Sequence, residues 1–358
     1  MRVFQITAEQ FIELPGLPDT PPAAGFIWIG AARPEFERRL PALQALLTQW
    51  TGSGLVELHV SDLLNPQLPS HFDTTSWYDL MVFRRLVAAA TDAGHETTAA
   101  LAVEAVDTSP VGFAVFDRVL LTVHPADCAV RDFFAQRLAL LGHGAEPRGP
   151  SRLPPSPADL MLRMVNHMVD SYLELRRLLT RQLGALQQEL MRPNSHFNDW
   201  QLLLDARNRL HLLEDTCEDQ QGAIQEWIDA LVEWEVPADE AARRERELLR
   251  LRSRDVLEHI ERVLAHVRRL EQSVEAAVQM HFSALGHRTN AIMRTLTVLT
   301  AIFLPLNLIT GFFGMNFDSL PLIHSARGVW ITISALLLVG LGLGLFFWRK
   351  RYLGTQVR

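Results

Sequence analysis

TLTVLTAIFLPLNLITGFFGMNF (residues 295–317) and VWITISALLLVGLGLGLFFW (residues 329–348) decide the architecture, because neither contains an ionisable side chain. About 20 apolar residues in a helix cross a hydrocarbon layer of roughly 30 Å, and these runs hold 23 and 20 residues. A buried core helix is the competing reading of either run alone. Two in succession, the second closed by Arg349, Lys350 and Arg351, point to a pair of transmembrane spans. The stretch between them, 318–328, is too short for a domain, so the spans form a hairpin. Charge orients it. Lys350, the sole lysine of the chain, lies in the basic cluster after the second span, and Arg288 and Arg294 precede the first. The loop carries one arginine, Arg327. Basic residues stay on the cytoplasmic side, so both termini are expected in the cytoplasm, together with the large N-terminal part.

Upstream of the first span the pattern is helical without a break. VPADE (236–240) has the composition of a turn and N-cap, and no Pro or Gly follows until Gly286, with Pro305 the first real interruption. One helix of about 70 residues would be about 110 Å long. That exceeds a globular helix, so the segment reads as a stalk running into a membrane span. Before it, ADLMLRMVNHMVDSYLELRRLLTRQLGALQQELM (158–191) repeats Leu, Met and Val at three- and four-residue spacing. MRPN (191–194) breaks that run, and a second helical run continues to about Glu235.

Residues 1–145 read differently. FIWIG (26–30), LVELHV (55–60), LMVFRRLVAAA (80–90) and GFAVFDRVLLTVH (112–124) are short β-branched or aromatic runs, predicted as strands. PEFERRLPALQALLTQW (34–50) is predicted as a helix between them, and GAEPRGPSRLPPSP (144–157) marks a joint. The expected fold class is an α+β cytoplasmic N-terminal domain, a long stalk helix and a two-helix transmembrane hairpin. Its segments are 1–157 (α/β domain), 158–240 (acidic helical part), 241–294 (stalk), 295–317 (first span), 318–328 (external loop), 329–348 (second span) and 349–358 (basic tail).

Composition excludes several classes. The 358 residues carry a formal charge of −7, with 21% charged and both signs mixed, which fits neither a disordered tail nor a basic nucleic-acid binder. The arginines of the stalk, Arg243 to Arg254, have no interleaved aromatics, so no nucleic-acid partner is expected. Cys128 and Cys217 form no CxxC pair, which excludes a disulfide scaffold and a Cys-rich zinc site. The start, MRVFQITAEQFIEL, lacks the pattern of a cleaved signal peptide. HExxH, a P-loop lysine, GxSxG and GxGxxG are all missing, so the chain is not expected to be an enzyme or to need a catalytic cofactor. His259 and His266 lie two turns apart and read as exposed stalk residues rather than a zinc site. From His211 to Ala242 there are ten carboxylates and no Lys or Arg. This run is either a solvated face or a negative field that draws cations.

Within the first span the polar residues keep a register. Asn290, Met293, Thr297, Thr300, Leu304, Asn307 and Gly311 follow one another by three or four residues and so share one helix face, opposite Ile, Leu, Val and Phe. Such a stripe meets either a partner helix or water. Packing needs only one or two polar residues, whereas a water-filled pore uses the whole stripe. Two spans cannot enclose a channel, so several copies in a ring are implied. Pro305 leaves the carbonyl of Ala301 without its helical donor, which is tolerable at membrane depth where it meets water or an ion. Met293, Leu296 and Leu304 add apolar collars.

The segment TNAIMRTLTVLTAIFLPLNLITGFFGMNFDSLP resembles the first membrane helix and loop of the CorA family of divalent-cation channels, with that family's Gly-Met-Asn as Gly314, Met315 and Asn316 after Phe313. The resemblance extends over most of the chain and implies a homopentamer around one pore in the bacterial cytoplasmic (inner) membrane, with the N-terminal domain as a cytoplasmic funnel. It implies Mg²⁺ as the transported and the regulatory ion. Mg²⁺ gives up its water reluctantly, and a ring of Asn316 carbonyls can hold the hydrated ion without stripping it. Asp318 stands where an acidic residue concentrates cations at the mouth. Asn290, Met293, Leu296, Leu304 and Asn307 match the family's pore-lining places, Asn307 standing where relatives often carry Thr. Asp255, in Arg254-Asp255-Val256, matches a regulatory carboxylate that divalent ions bridge between subunits. The second reading is a zinc carrier of the ZntB type. A membrane-anchored coiled-coil sensor or scaffold is the reading from another class, and it would need no aqueous stripe.

Overall fold

The structure is a computed structural model that describes residues 1–20, 22, 24–87, 107–126, 129–142, 152–191, 200–234, 239–315 and 326–350. It falls into two compact units, Met1–Glu275 and Ala276–Arg358.

The first unit is built on a seven-stranded sheet: β1 (Arg2–Ile6), β2 (Phe11–Leu14), β3 (Phe26–Ala32), β4 (His71–Thr74), β5 (Asp79–Val87), β6 (Asp107–Val115) and β7 (Val119–His124), in the order β2-β1-β3-β7-β6-β5-β4. β3 and β7 are parallel and every other pair is antiparallel. The parallel pair carries near-continuous apolar runs because helices cover both faces of the sheet. One face takes α1 (Arg33–Thr51) and α2 (Glu57–Leu64), so that Phe36, Leu43, Leu47 and Leu63 close over Ile27, Ile29, Leu121 and Val123. The alternate residues Phe26 and Trp28 point the other way and are buried, on the face where α4 (Pro157–Met191) packs against β3, β5, β6 and β7. Trp28 donates its indole N–H to Thr122 Oγ1 at 3.1 Å, which satisfies the one polar group a buried indole carries. α3 (Ala129–Gly142) lies against β2 and α4.

Three polar pins fix the long helices. The Arg84 carbonyl on β5 accepts from Tyr172 Oη on α4 at 3.0 Å and from Gln220 Nε2 on α5 (Trp200–Glu233) at 2.8 Å. Trp227 of α5 donates to Ser253 Oγ on α6 (Glu240–Phe313) at 2.9 Å. Asp159, almost fully buried on α4, pairs with Arg163 at 2.8 Å and with Arg252 of α6. α6 starts where expected: Asp239 is its N-cap, its Oδ2 accepting the Ala242 N–H at 3.2 Å.

Several expectations need correction. LVELHV is not a strand. Residues 57–64 form α2, whose buried His59, Val60 and Leu63 follow helical spacing. Its first turn is held from outside, the Tyr78 hydroxyl accepting the Val56 N–H at 2.9 Å while the Gln44 amide bonds both Leu55 backbone groups. GFAVFDRVLLTVH is not one run but the hairpin β6–β7, turned at Phe116, whose N–H bonds Val119 O at 2.9 Å. The close approach of β6 to α2 requires Gly112, where a Cβ would sit 2.2 Å from Leu63 Cδ2. β1, β2, β4 and α3 stand where the sequence pattern predicts no element. Residues 88–90, the first part of the joint at 144–157, the breaker at 192–194 and the turn at 236–238 lie outside the described residues.

The second unit holds the end of α6 and α7 (Ala326–Arg349). Both are long and apolar enough to cross a membrane, and their apolar windows are almost entirely exposed. That exposure separates them from core helices.

Candidate ion-conduction site

The structure places the stripe on one exposed face. Asn290, Met293, Leu296, Thr297, Thr300, Leu304, Asn307 and Gly311 are all exposed, whereas Val298 on the other side is 2% exposed. Val298, Ile302, Leu306 and Ile309, all of reduced exposure, run along the opposite face, and Ala301 and Pro305, also of reduced exposure, lie at its border with the stripe. Gly340 of α7 meets that face: a Cβ there would make ordinary contact with the Leu306 methyls, 3.7 Å from Cδ1. Among the described residues, then, α7 meets α6 on its apolar side at Leu306 and leaves the polar side uncovered.

The polar side has a defined chemistry. Thr297 donates its hydroxyl to Met293 O at 2.8 Å, and Thr300 donates to Leu296 O at 2.9 Å. A hydroxyl has one proton and two lone pairs. With the proton spent inside the helix, each oxygen offers only acceptors outward, which suits a cation. Leu296, Thr297, Thr300, Ala301, Leu304 and Pro305 line a shallow groove of about 420 Å³ on this face. α6 continues through Pro305 to Phe313, after which the Gly314 N–H bonds Thr310 O at 2.9 Å and the Met315 N–H reaches Phe312 O at 3.4 Å. Asn316 and Asp318 lie outside the described residues.

α7 carries membrane anchors at both ends. Trp330 and Trp348 are 71% and 70% exposed, and eighteen helical residues separate them by about 27 Å. Indoles favour the two edges of a bilayer at that spacing.

Asp255 is exposed on α6 and does not stand alone. His259, one turn on, reaches Asp255 Oδ1 with Nε2 at 3.8 Å and Asp170 Oδ1 of α4 with Nδ1 at 3.9 Å. Asp170 and Asp255 line a cavity of about 350 Å³ together with Arg137, Arg163, Asn166 and Arg252. His259 is legible from Asp255 by its helical spacing, whereas Asp170 comes from a different helix and carries no local signal. His266 turns to Thr180 Oγ1 at 2.9 Å, so the two stalk histidines do not converge. The acidic run is mostly a solvated face of α5: Asp215, Glu218, Asp219, Glu226, Asp229 and Glu233 are exposed, and Glu235 lies outside the described residues. Partial desolvation of its carboxylate by neighbouring side chains, reinforced by Asp215, raises the pKa of Asp219 although its surface stays largely open. Burial, reinforced by Glu214 and Glu218, pushes the Cys217 thiol up to about 12.

A mixed α/β unit, a helix that enters a membrane-length hairpin and an uncovered polar stripe ending at Gly-Met-Asn define a two-span membrane protein of transport type. The model of the CorA-like Mg²⁺ transporter family matches residues 23–351. The chain belongs to that family. It is 23% identical over 195 residues to the cobalt/magnesium transport protein CorA of Thermotoga maritima, covering 54% of this chain and 52% of that protein. It is 33% identical over 101 residues to the magnesium transport protein CorA of Sodalis glossinidius, covering 28% and 32%. The chain thus spans about half the length, or less, of these curated relatives. The solved structure of the CorA magnesium transporter from Methanocaldococcus jannaschii shares its fold, with a TM-score of 0.69 over 98% of both chains at 18% identity.

Proposed function

We propose that this chain assembles as a homopentamer that conducts Mg²⁺ through a pore lined by α6, in the bacterial inner membrane with both termini in the cytoplasm. The observation that carries the reading is the uncovered polar face of α6 in a membrane-length segment that runs directly into Gly314-Met315-Asn316. Five copies turn that face inward. Asn316 carbonyls then hold the hydrated ion at the mouth, and Asp318 raises the local cation concentration. Acceptors from Asn307, Thr300, Thr297 and Asn290 replace bulk water along the path, while Leu304, Leu296 and Met293 narrow it between them and Gly311 leaves room below the mouth. Divalent ions binding at Asp255 on the cytoplasmic side favour the closed arrangement. The relatives named for magnesium and cobalt transport support this class of ion.

Flux into liposomes containing the purified full-length chain tests the reading, with Mg²⁺, Co²⁺, Zn²⁺ and Ni²⁺ compared. Asn316→Ala is expected to abolish Mg²⁺ flux with the oligomer intact, because only the ring that holds the hydrated ion is lost. Asp255→Ala is expected to raise the internal Mg²⁺ needed for inhibition and to leave ion preference unchanged. Undiminished flux through Asn316→Ala sinks the loop assignment, and Zn²⁺ flux without Mg²⁺ flux replaces the ion.

A further inference from the structure

His211 stands on α5 where the acidic run begins, and it faces two carboxylates. Its Nε2 lies 3.0 Å from Glu271 Oε1 on α6, and its Nδ1 lies 4.0 Å from Glu214 Oε2, one turn along its own helix. One ligand atom from each of the three side chains falls within 4.8 Å of the other two. Arg268, one turn before Glu271, donates from Nε to the other oxygen of Glu214, Oε1, at 2.7 Å, and its guanidinium also reaches Glu218. Glu214 is therefore held from outside, with Oε2 turned to the imidazole, as a metal-ligating carboxylate is usually held by an outer partner.

We propose that His211, Glu214 and Glu271 form a binding site for a transition divalent cation of the Zn²⁺, Co²⁺ or Ni²⁺ class, clasping α5 to α6 within one subunit. A neutral imidazole has a single N–H. In the tautomer that carries this N–H on Nδ1, the Nε2 lone pair and Glu271 Oε1 face each other at 3.0 Å with nothing positive between them, and an ion placed there is one that Glu214 can swing to reach. Glu214, Glu218 and Glu271 against Arg268 leave a local formal charge of −3 + 1 = −2, which a divalent ion neutralises. Zinc ligand bonds of about 2.0–2.2 Å place donor atoms a little over 3 Å apart, so the carboxylates need only a small rotamer adjustment. Glu214 and Glu271 are partly exposed and His211 is exposed, so the core does not resist it. One nitrogen and two carboxylate oxygens, with the remaining positions open to water, suit zinc, cobalt and nickel. Mg²⁺ prefers an octahedron of oxygens. The site is separate from Asp255, which lies sixteen residues earlier on α6, about 24 Å along the helix. It gives this chain a means of sensing a second kind of metal ion.

The test is Zn²⁺ binding to the full-length protein in detergent, by calorimetry and by the Zn²⁺-dependent rise in Tm, repeated with Co²⁺ and its visible absorption. The expected result is one Zn²⁺ per chain whose dissociation constant rises roughly tenfold or more in both His211→Ala and Glu214→Gln. That ion is kept in Asp255→Ala and Asn316→Ala, and excess Mg²⁺ does not displace it. Reading two variants keeps the outcome clear if one is poorly folded, because either must lose the Zn²⁺-dependent rise in Tm. No Zn²⁺ binding by the wild type, equal binding by the variants, or loss confined to Asp255→Ala overturns the proposal. The three side chains are then an ion-paired helix clasp only.

Discussion

Burial penalises an imidazole only in its charged form, and His124 shows what that does to the fold. It ends β7 at 1% exposure, with Nδ1 2.8 Å from the Pro125 carbonyl and Nε2 buried without a hydrogen-bond partner among the described residues. Nδ1 donates to that carbonyl, so Nε2 is an unprotonated nitrogen in the interior. Desolvation pulls the pKa down to about 4, Arg131 and Arg85 adding to it against the Pro125 bond and Asp132. The unfolded chain, with an ordinary value near 6.5, binds a proton between those two pH values that the folded chain refuses. Stability is therefore fully present above about pH 6.5 and declines as pH falls toward 4, by up to about 3 kcal/mol for this one group. Unfolding by urea, followed by tryptophan fluorescence at pH 7 and pH 4.5, should show a larger loss in the wild type than in His124→Gln. Equal losses would mean that other groups govern the acid limb.

At the scale of elements, α6 is where sequence pattern becomes chemistry. If its stripe faces water and ions, the Thr297 and Thr300 oxygens are used as acceptors, and replacing both by Val removes them while keeping the side-chain shape. Thr297→Val/Thr300→Val should then lower divalent flux several-fold with assembly and Tm little changed, since each hydroxyl is bonded to a carbonyl of its own helix four residues back. Flux equal to wild type assigns the stripe to packing between copies. This stripe is legible in the sequence because it depends only on helical spacing. β3 and β7 are legible for a similar reason, since FIWIG and VLLTVH stay apolar on both faces. LVELHV is not, because six residues fit strand alternation as well as a helix turn. The Gln44 amide and Tyr78 hydroxyl, distant in sequence, decide in favour of the helix. β1 and β2 escape notice because RVFQI and FIEL are short runs broken by polar residues, and they gain their meaning from β1 pairing with β2 on one side and β3 on the other. Likewise, no spacing rule brings Asp170 to His259, or Glu271 to His211. Helix packing does.

At the scale of the whole molecule the sidedness of the hairpin sets what every other residue can do. Asp255 can report cytoplasmic ions, and His211 a cytoplasmic metal, only if the first unit stays inside. Positive charge sets the side. Arg349, Lys350 and Arg351 follow the second span, Arg288 and Arg294 precede the first, and the intervening loop has only Arg327, in the company of Asp318. Orientation follows the excess of Lys and Arg in short flanking segments rather than net charge, so the acidity of the N-terminal unit does not oppose it. In a background of Cys128→Ser and Cys217→Ser, single cysteines at Ser325 and Gln356 separate the two orientations. An impermeant thiol reagent added outside intact cells should label the cysteine at 325 and spare the one at 356, which should react only after the membrane is opened. The reverse pattern would place the Asp255 and His211 sites outside, and with them any regulation by cytoplasmic ions would fall. Labelling at both positions would mean that the second span does not cross, leaving α6 without the α7 face on which Leu306 rests.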